Sequence, residues 1–317
     1  MSEDRMRIIV FGYHRIGYLC LQELIDRREE VCAVVTHRDD PGEHVWFESV
    51  ADLARSVGLP VFTPRTPNAT AFVRQVQALQ PAILLSFYYR RLLCKEVLAI
   101  PPRGGINLHG SLLPKYRGRA PVNWVLVHGE SLTGVTLHYM TEEADAGDII
   151  AQRAVHIAFE DTALTLFNKV AQAALALFRD TWPLIKAGRA PRFPQDPRQA
   201  TTFGARRPED GRIDWSEPAL TLYNLVRAVT HPYPGAFTSY RGRKLYIWRA
   251  RPLLELSSGE KPGTILWVQE TGCAVATGAG ALLLTLVQWE GEDARSGEAF
   301  ARSHGVGIGE RLGEEKG

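Results

Sequence analysis

Through its first 160 residues the sequence alternates short β-branched runs with longer stretches whose apolar residues recur every three or four positions. That alternation restricts the fold, because buried strands read as continuous apolar runs and the helices that cross between them read as amphipathic. Residues 7–11 (RIIVF), 31–36 (VCAVVT), 82–87 (AILLSF) and 105–108 (GINL) are the expected strands, and 16–27, 46–56 and 69–79 the expected helices. The expected class is α/β, with a mostly parallel sheet and helices on its faces.

Residues 134–140 (GVTLHYM) and 149–157 (IIAQRAVHI) read as two further strands joined by an acidic turn, and 162–187 as one long helix. From 191 to 208 the chain holds four prolines and no periodicity, so it reads as a linker. After a helix at 219–230 come short strands at 235–240, 244–249, 263–268, 273–276 and 281–288, as in a small antiparallel barrel or sandwich. The tail from Gly291 is expected at the surface. These readings divide the chain into a first domain at 1–190, a linker at 191–208 and a β domain at 209–317.

A length of 317 residues is more than one core usually needs, which agrees with two domains. No stretch approaches the roughly 20 apolar residues of a membrane helix, and the start MSEDRMRIIVFG carries charge where a signal peptide is apolar. A cytoplasmic protein with no membrane partner is expected. Beyond residue 205 there are 14 Lys+Arg against 14 Asp+Glu, a poor match to a nucleic-acid backbone. The four cysteines form neither a C-x-x-C pair nor a disulfide ladder, and no histidine pair has metal-ligand spacing, so no metal is expected.

Chemistry concentrates in residues 107–124, NLHGSLLPKYRGRAPVNW, directly at the end of an expected strand. Asn107 and His109 are two apart and therefore share a face. An amide to hold a developing oxyanion and an imidazole to exchange a proton are the groups acyl transfer to an amine requires. Asp145, in the turn EEADAGD, is placed to orient the imidazole. A loop histidine beside a solvated acidic turn is the competing reading of the same residues. Lys115, Arg117 and Arg119 form a basic cluster that either faces solvent or lies across a cleft from Glu142, Glu143, Asp145 and Asp148. Gly12 and Gly17 fit a tight strand-to-helix turn better than a dinucleotide fingerprint, and His14 between them reads as a loop residue. His109-Gly110-Ser111 is not a hydrolase elbow.

The pattern N-x-H-x-S-L-L-P-x-Y-R-G-x-A-P closely resembles the signature of the formyltetrahydrofolate-dependent formyltransferases, and TLHYMTEEADAGDII resembles their second active-site loop. The resemblance covers nearly the whole chain. It implies the formyltransferase fold, a Rossmann-like mostly parallel sheet with helices on both faces, followed by a small OB-like β-barrel. It further implies that Asn107 stabilises the tetrahedral intermediate, His109 is the general acid/base and Asp145 adjusts the histidine. N10-formyltetrahydrofolate is the implied formyl donor, contacted by Arg91, Leu92, Leu93, Arg119, Thr141, Glu142, Glu143, Ala144 and Asp145.

Two branches of that family formylate different amines, methionyl-tRNA in one and nucleotide-linked amino sugars in the other. THRDDPGE at 36–43, SFYYR at 86–90 and RGRAPVNW at 117–124 are most similar to the branch acting on UDP-4-amino-4-deoxy-L-arabinose in lipid A modification. The implied partner is thus a small nucleotide sugar rather than a nucleic acid, with tRNA or another UDP- or dTDP-amino sugar as the alternative. In that branch the enzyme continues into an NAD-dependent decarboxylase, whereas this sequence ends at Gly317, so a stand-alone formyltransferase is expected. Oligomeric state is not legible.

Overall fold

The structure, a computed structural model, describes residues 6–40, 42, 45–256 and 259–314. The first five and last three residues, and Pro41 and Glu43 of the segment 36–43, lie outside the described residues. In chain order the first elements are β1 (Ile8–Gly12), α1 (His14–Asp26), β2 (Val31–Val35), α2 (Val50–Ser56), β3 (Val61–Phe62), α3 (Thr70–Ala78), β4 (Ile83–Phe87), α4 (Lys95–Leu98) and β5 (Gly105–His109). They continue through β6 (Arg117–Gly118), α5 (Pro121–Val127), β7 (Leu132–Tyr139), β8 (Ile149–His156), α6 (Ala163–Lys186) and β9 (Thr202–Phe203).

Seven strands form one sheet in the order β3-β2-β1-β4-β5-β7-β8. The first five are parallel, and β7 and β8 join antiparallel. Alternate residues of β1, β2 and β4 bury one face in a cluster containing Ile9, Phe11, Ala33, Val35 and Leu84, against Phe72 and Val76 of α3. Each of these side chains larger than alanine contributes about 1.5–3 kcal/mol on burial, and truncating Leu84 to Ala would cost about 2–5 kcal/mol. At the β1–α1 turn, a Cβ on Gly17 would stand 3.1 Å from the Phe87 carbonyl oxygen, so glycine lets the helix lie close to the strands.

Helix α2 starts four residues later than the expected helix at 46–56, with Ser49 capping it through Oγ to the Asp52 N–H at 3.1 Å. The residues before it pack instead. Phe47 stacks on His14 with centroids 3.8 Å apart, and Trp46 and Phe167 meet the imidazole edge-on at 4.7 and 4.5 Å. His14 is thus the first residue of α1, at φ 63, inside an aromatic cluster and not in a loop.

By compactness the chain forms two units, one from residues up to 121, 132–156 and 167–204, the other from 122–131, 157–166 and 205 onward. The second contains α7 (Ala219–Val229), β10 (Ala236–Tyr240), β11 (Arg243–Leu253), β12 (Ile265–Gln269), β13 (Gly272–Ala276), β14 (Ala281–Trp289), β15 (Arg295–Ser296) and α8 (Gly297–Ser303). Its strands make one antiparallel sheet, β10-β11-β14-β13-β12, with β15 beside β14. Arg227 of α7, buried, donates to the carbonyls of Ala158 and Asp161 at 3.3 and 3.2 Å, which accounts for a charge in that interior. The tail corrects its surface expectation. Ser296 caps α8 through the Ala299 N–H, and Phe300 and Ala301 are buried, an amphipathic turn too short to register as periodic.

Candidate active site

In the antiparallel pairing of β5 with β7, Asn107 lies directly opposite His138 and His109 opposite Thr136. Strand alternation therefore puts Asn107, His109 and His138 on one face of the sheet. Leu108 and Leu137, on the other face, are fully buried and fix the register. The loop after β7 folds back over the polar face and delivers Asp145, whose backbone adopts φ 55. Gly147 makes that return possible, since a Cβ there would collide with the Tyr139 carbonyl oxygen at 1.8 Å.

The three expected residues meet. Asn107 Nδ2 lies 3.1 Å from His138 Nε2 and donates to Asp145 Oδ1 at 3.3 Å. Asp145 Oδ2 is 3.5 Å from His109 Nδ1 and accepts the Gly118 N–H at 2.8 Å. His109 Nε2 is 2.7 Å from the Tyr116 carbonyl oxygen. Both ring nitrogens of His109 thus face oxygen atoms. Burial pushes the Asp145 carboxyl up, but the His109 charge, the His138 ring and the Gly118 N–H outweigh it and hold the carboxyl well below its usual range.

His138 was not singled out as a site residue from the sequence. Its Nδ1 faces the Tyr139 carbonyl oxygen at 2.9 Å, and its Nε2 lies between the Asn107 amide at 3.1 Å and Asp145 Oδ1 at 3.4 Å. The H-Y of LHYM lies two residues beyond Thr136 in a run of strand formers, and only the cross-strand register shows that it faces Asn107. Thr136 holds the loop after His109. Its Oγ1 donates to the Ser111 carbonyl at 2.7 Å and accepts the Leu113 N–H at 3.1 Å.

The basic cluster divides. Lys115 and Arg119 are exposed, but Arg117 is buried, 3.4 Å from Glu143 and hydrogen-bonded to Gln195. Residues 116–119 are held by the end of the segment read as a linker. Tyr116 N–H donates to Thr201 Oγ1 at 2.8 Å, Tyr116 stacks on Phe203, and β6 pairs with β9 in parallel.

All but one of the expected donor-binding residues lie in two loops. Arg91 and Leu92 are exposed after β4, with Leu92 61% accessible, and Thr141, Glu142 and Glu143 are exposed after β7, where Ala144 is half-buried. Leu93 points inward, and it and Met140 pack on the same cluster around Phe11 and Leu84, so both loops spring from one anchor. Asn68 ties the first loop by accepting the Cys94 N–H at 3.0 Å and donating to the Leu92 carbonyl at 3.1 Å. Arg119 stays on the β6 loop, its N–H donating to the Phe203 carbonyl at 2.9 Å.

An amide, an imidazole and a carboxylate thus share the polar face of an α/β sheet, and these are the groups that acyl transfer to an amine requires. Comparison with known families makes the class specific: residues 6–181 match the formyl transferase family and residues 206–305 its C-terminal domain. The chain belongs to the formyl transferase family. Among solved structures, HypX from Aquifex aeolicus with tetrahydrofolic acid superposes with a TM-score of 0.63 at 21% identity, covering 96% of this chain and 48% of HypX. The chain thus spans about half the length of HypX. The N-formyltransferase from Helicobacter canadensis, in complex with folinic acid and dTDP-3-aminofucose, gives 0.69 at 19% identity over 88% of this chain and 99% of that one. WlaRD, a sugar 3N-formyl transferase solved with dTDP and 5-N-formyl-THF, gives 0.68 at 17% identity over 91% and 99%.

Proposed function

We propose that this protein transfers a formyl group from N10-formyltetrahydrofolate to the primary amine of a nucleotide-linked amino sugar, with UDP-4-amino-4-deoxy-L-arabinose the favoured acceptor. The observation that carries this reading is the convergence of Asn107 and His109 on the two carboxylate oxygens of Asp145 in a formyl transferase chain. Two sugar N-formyltransferases, matched over 99% of their length, support an amino-sugar acceptor. The balanced charge beyond residue 205 weighs against tRNA. The motif resemblance at residues 86–90 and 117–124 supports the arabinose sugar within that class.

The donor supplies the formyl carbon. Arg91, with Leu92 exposed beside it, and the polar loop 141–145 fit a molecule with a flat ring and an anionic tail. Attack by the amine moves negative charge onto the formyl oxygen, and Asn107 donates to it. The contact to Asp145 Oδ1, at 3.3 Å the longer of the two that Asn107 makes, is the one that yields. His109 takes up the amine's proton and returns it to the departing nitrogen. Asp145 stays ionised throughout and keeps the imidazole oriented.

The purified chain should be incubated with N10-formyltetrahydrofolate and an acceptor panel of UDP-4-amino-4-deoxy-L-arabinose, dTDP-3-amino sugars and methionyl-tRNA, and the products weighed. A mass gain of one formyl group on the UDP sugar at the highest specificity constant is the expected result. Preferential formylation of tRNA would replace the acceptor assignment, and formylation of none would refute the reading.

A further inference from the structure

We propose that Gln195 is a positioning residue for the reaction, its carboxamide locking the Asp145 turn to the Arg117–Gly118 loop; this rests on the acyl-transfer role given above to Asp145. Gln195 Nε2 donates to the main-chain carbonyls of Asp145 and Gly147 at 2.8 and 2.7 Å. Its Oε1 accepts from Arg117 Nε and Nη2 at 3.2 and 2.7 Å. A primary amide has two donor hydrogens and two acceptor lone pairs, and here all four are used. The guanidinium only donates and the two carbonyls only accept, so the amide has one orientation.

No other side chain meets the same four partners. Glutamate would set a carboxylate oxygen against two carbonyl oxygens, and a cationic residue would face Arg117. The site needs the clamp because Asp145 holds a left-handed backbone conformation, which is unfavourable for a residue with a Cβ. The clamp grips the turn from behind, while the Gly118 N–H grips the carboxylate in front at 2.8 Å. One carboxamide thereby sets both the height of Asp145 over His109 and the loop whose Tyr116 carbonyl touches the imidazole.

Gln195 keeps its register by backbone pairing two residues upstream. Phe193 and Ile149 exchange both main-chain hydrogen bonds, at 2.8 and 2.9 Å, where β8 begins.

The test compares Gln195→Glu and Gln195→Met with wild type, with Gln199→Ala as a control in the same segment and Asp145→Asn as reference. Displacing a reacting constellation by about 1 Å costs roughly 100-fold, so both Gln195 variants should lose about that factor in kcat, with KM for the donor little changed. Their activity should also fall away at higher pH on the acid side than in wild type, because a carboxylate freed from its partners titrates closer to the ordinary range. Crystal structures of the variants should show the Asp145 carboxylate withdrawn from the Gly118 N–H. Wild-type kcat and an unmoved acid limb in folded Gln195→Glu, with Asp145→Asn inactive, would overturn the inference alone. A fully active Asp145→Asn would instead remove the reading on which it rests.

Discussion

Asn107 Nδ2 and His138 Nε2 lie 3.1 Å apart across the antiparallel β5–β7 pair, one rung of the ladder holding an amide against an imidazole. Removing the imidazole leaves a half-buried N–H without its partner and frees the Asn107 amide to rotate. His138→Phe should therefore lower kcat/KM by about 10- to 100-fold, equivalent to about 1–3 kcal/mol. Steady-state kinetics decide it: an unchanged constant would mean that the amide is held by Asp145 alone.

Replacing the amide itself has a larger consequence. Asn107→Ala should turn over about 100- to 1,000-fold more slowly than wild type while still binding the folate. Donor affinity by calorimetry and single-turnover rates separate the two effects. A parallel loss of donor binding would move Asn107 from chemistry to recognition.

The Asp145 carboxyl has a folded pKa held below its unfolded value. The carboxylate therefore adds stability that is fully present above the unfolded pKa, about 3.9, and drains away as pH falls through the folded one. Chemical denaturation at pH 7 should find Asp145→Asn less stable than wild type. At pH 3 the difference should have begun to narrow, and a gap that widened there would contradict the sign.

His14 acts in a different window. Burial first, then the charges of Arg90 and Arg15, lower its pKa to about 3 from its ordinary 6.5. Between those values the unfolded chain binds a proton that the folded chain refuses, so stability should fall as pH drops, by no more than about 1.4 kcal/mol per pH unit. His14→Asn, which tolerates the left-handed backbone, should flatten that slope. Urea midpoints at pH 7, 6 and 5 provide the comparison, and parallel slopes in the two proteins would refute it.

Gly118 combines φ 95 with a neighbour in the way: a Cβ there would stand 2.3 Å from the Phe203 carbonyl oxygen. Gly118→Ala should cost roughly 1–3 kcal/mol through backbone strain, and more through the collision. Gly58, at φ 75 with open space around it, carries the strain alone. Thermal melting should find Gly58→Ala clearly milder; equal losses would mean that the β6–β9 pairing yields without cost.

Four of the five parallel strands were legible because each is a short apolar run bounded by turn formers; 31–36 and 82–87 match β2 and β4 to within a residue. Two-residue strands such as β3, β6 and β9 have no period to detect, and their pairing is set by distant partners. Asn107 and His109 could be paired from strand geometry because two residues suffice to define a face. Asp145 needed the motif, since nothing local says that its loop folds back over the sheet. His138 and Gln195 were missed for the same reason. The first depends on cross-strand register, and the second sits among prolines that mark the end of periodic structure without revealing what the backbone then touches.

The dependence of residues 116–119 on Thr201 and Phe203 also sets an order of events at the ribosome. Tyr116 waits for a partner 85 residues further along the chain, so the strands of the sheet can be complete while the catalytic loop is still without its anchor. A nascent chain stalled at residue 190 would hold every strand of the seven-stranded sheet and neither Gln195 nor β9. The anchor of that loop arrives with the last dozen residues of the first unit, well after the strand that carries Asn107 and His109.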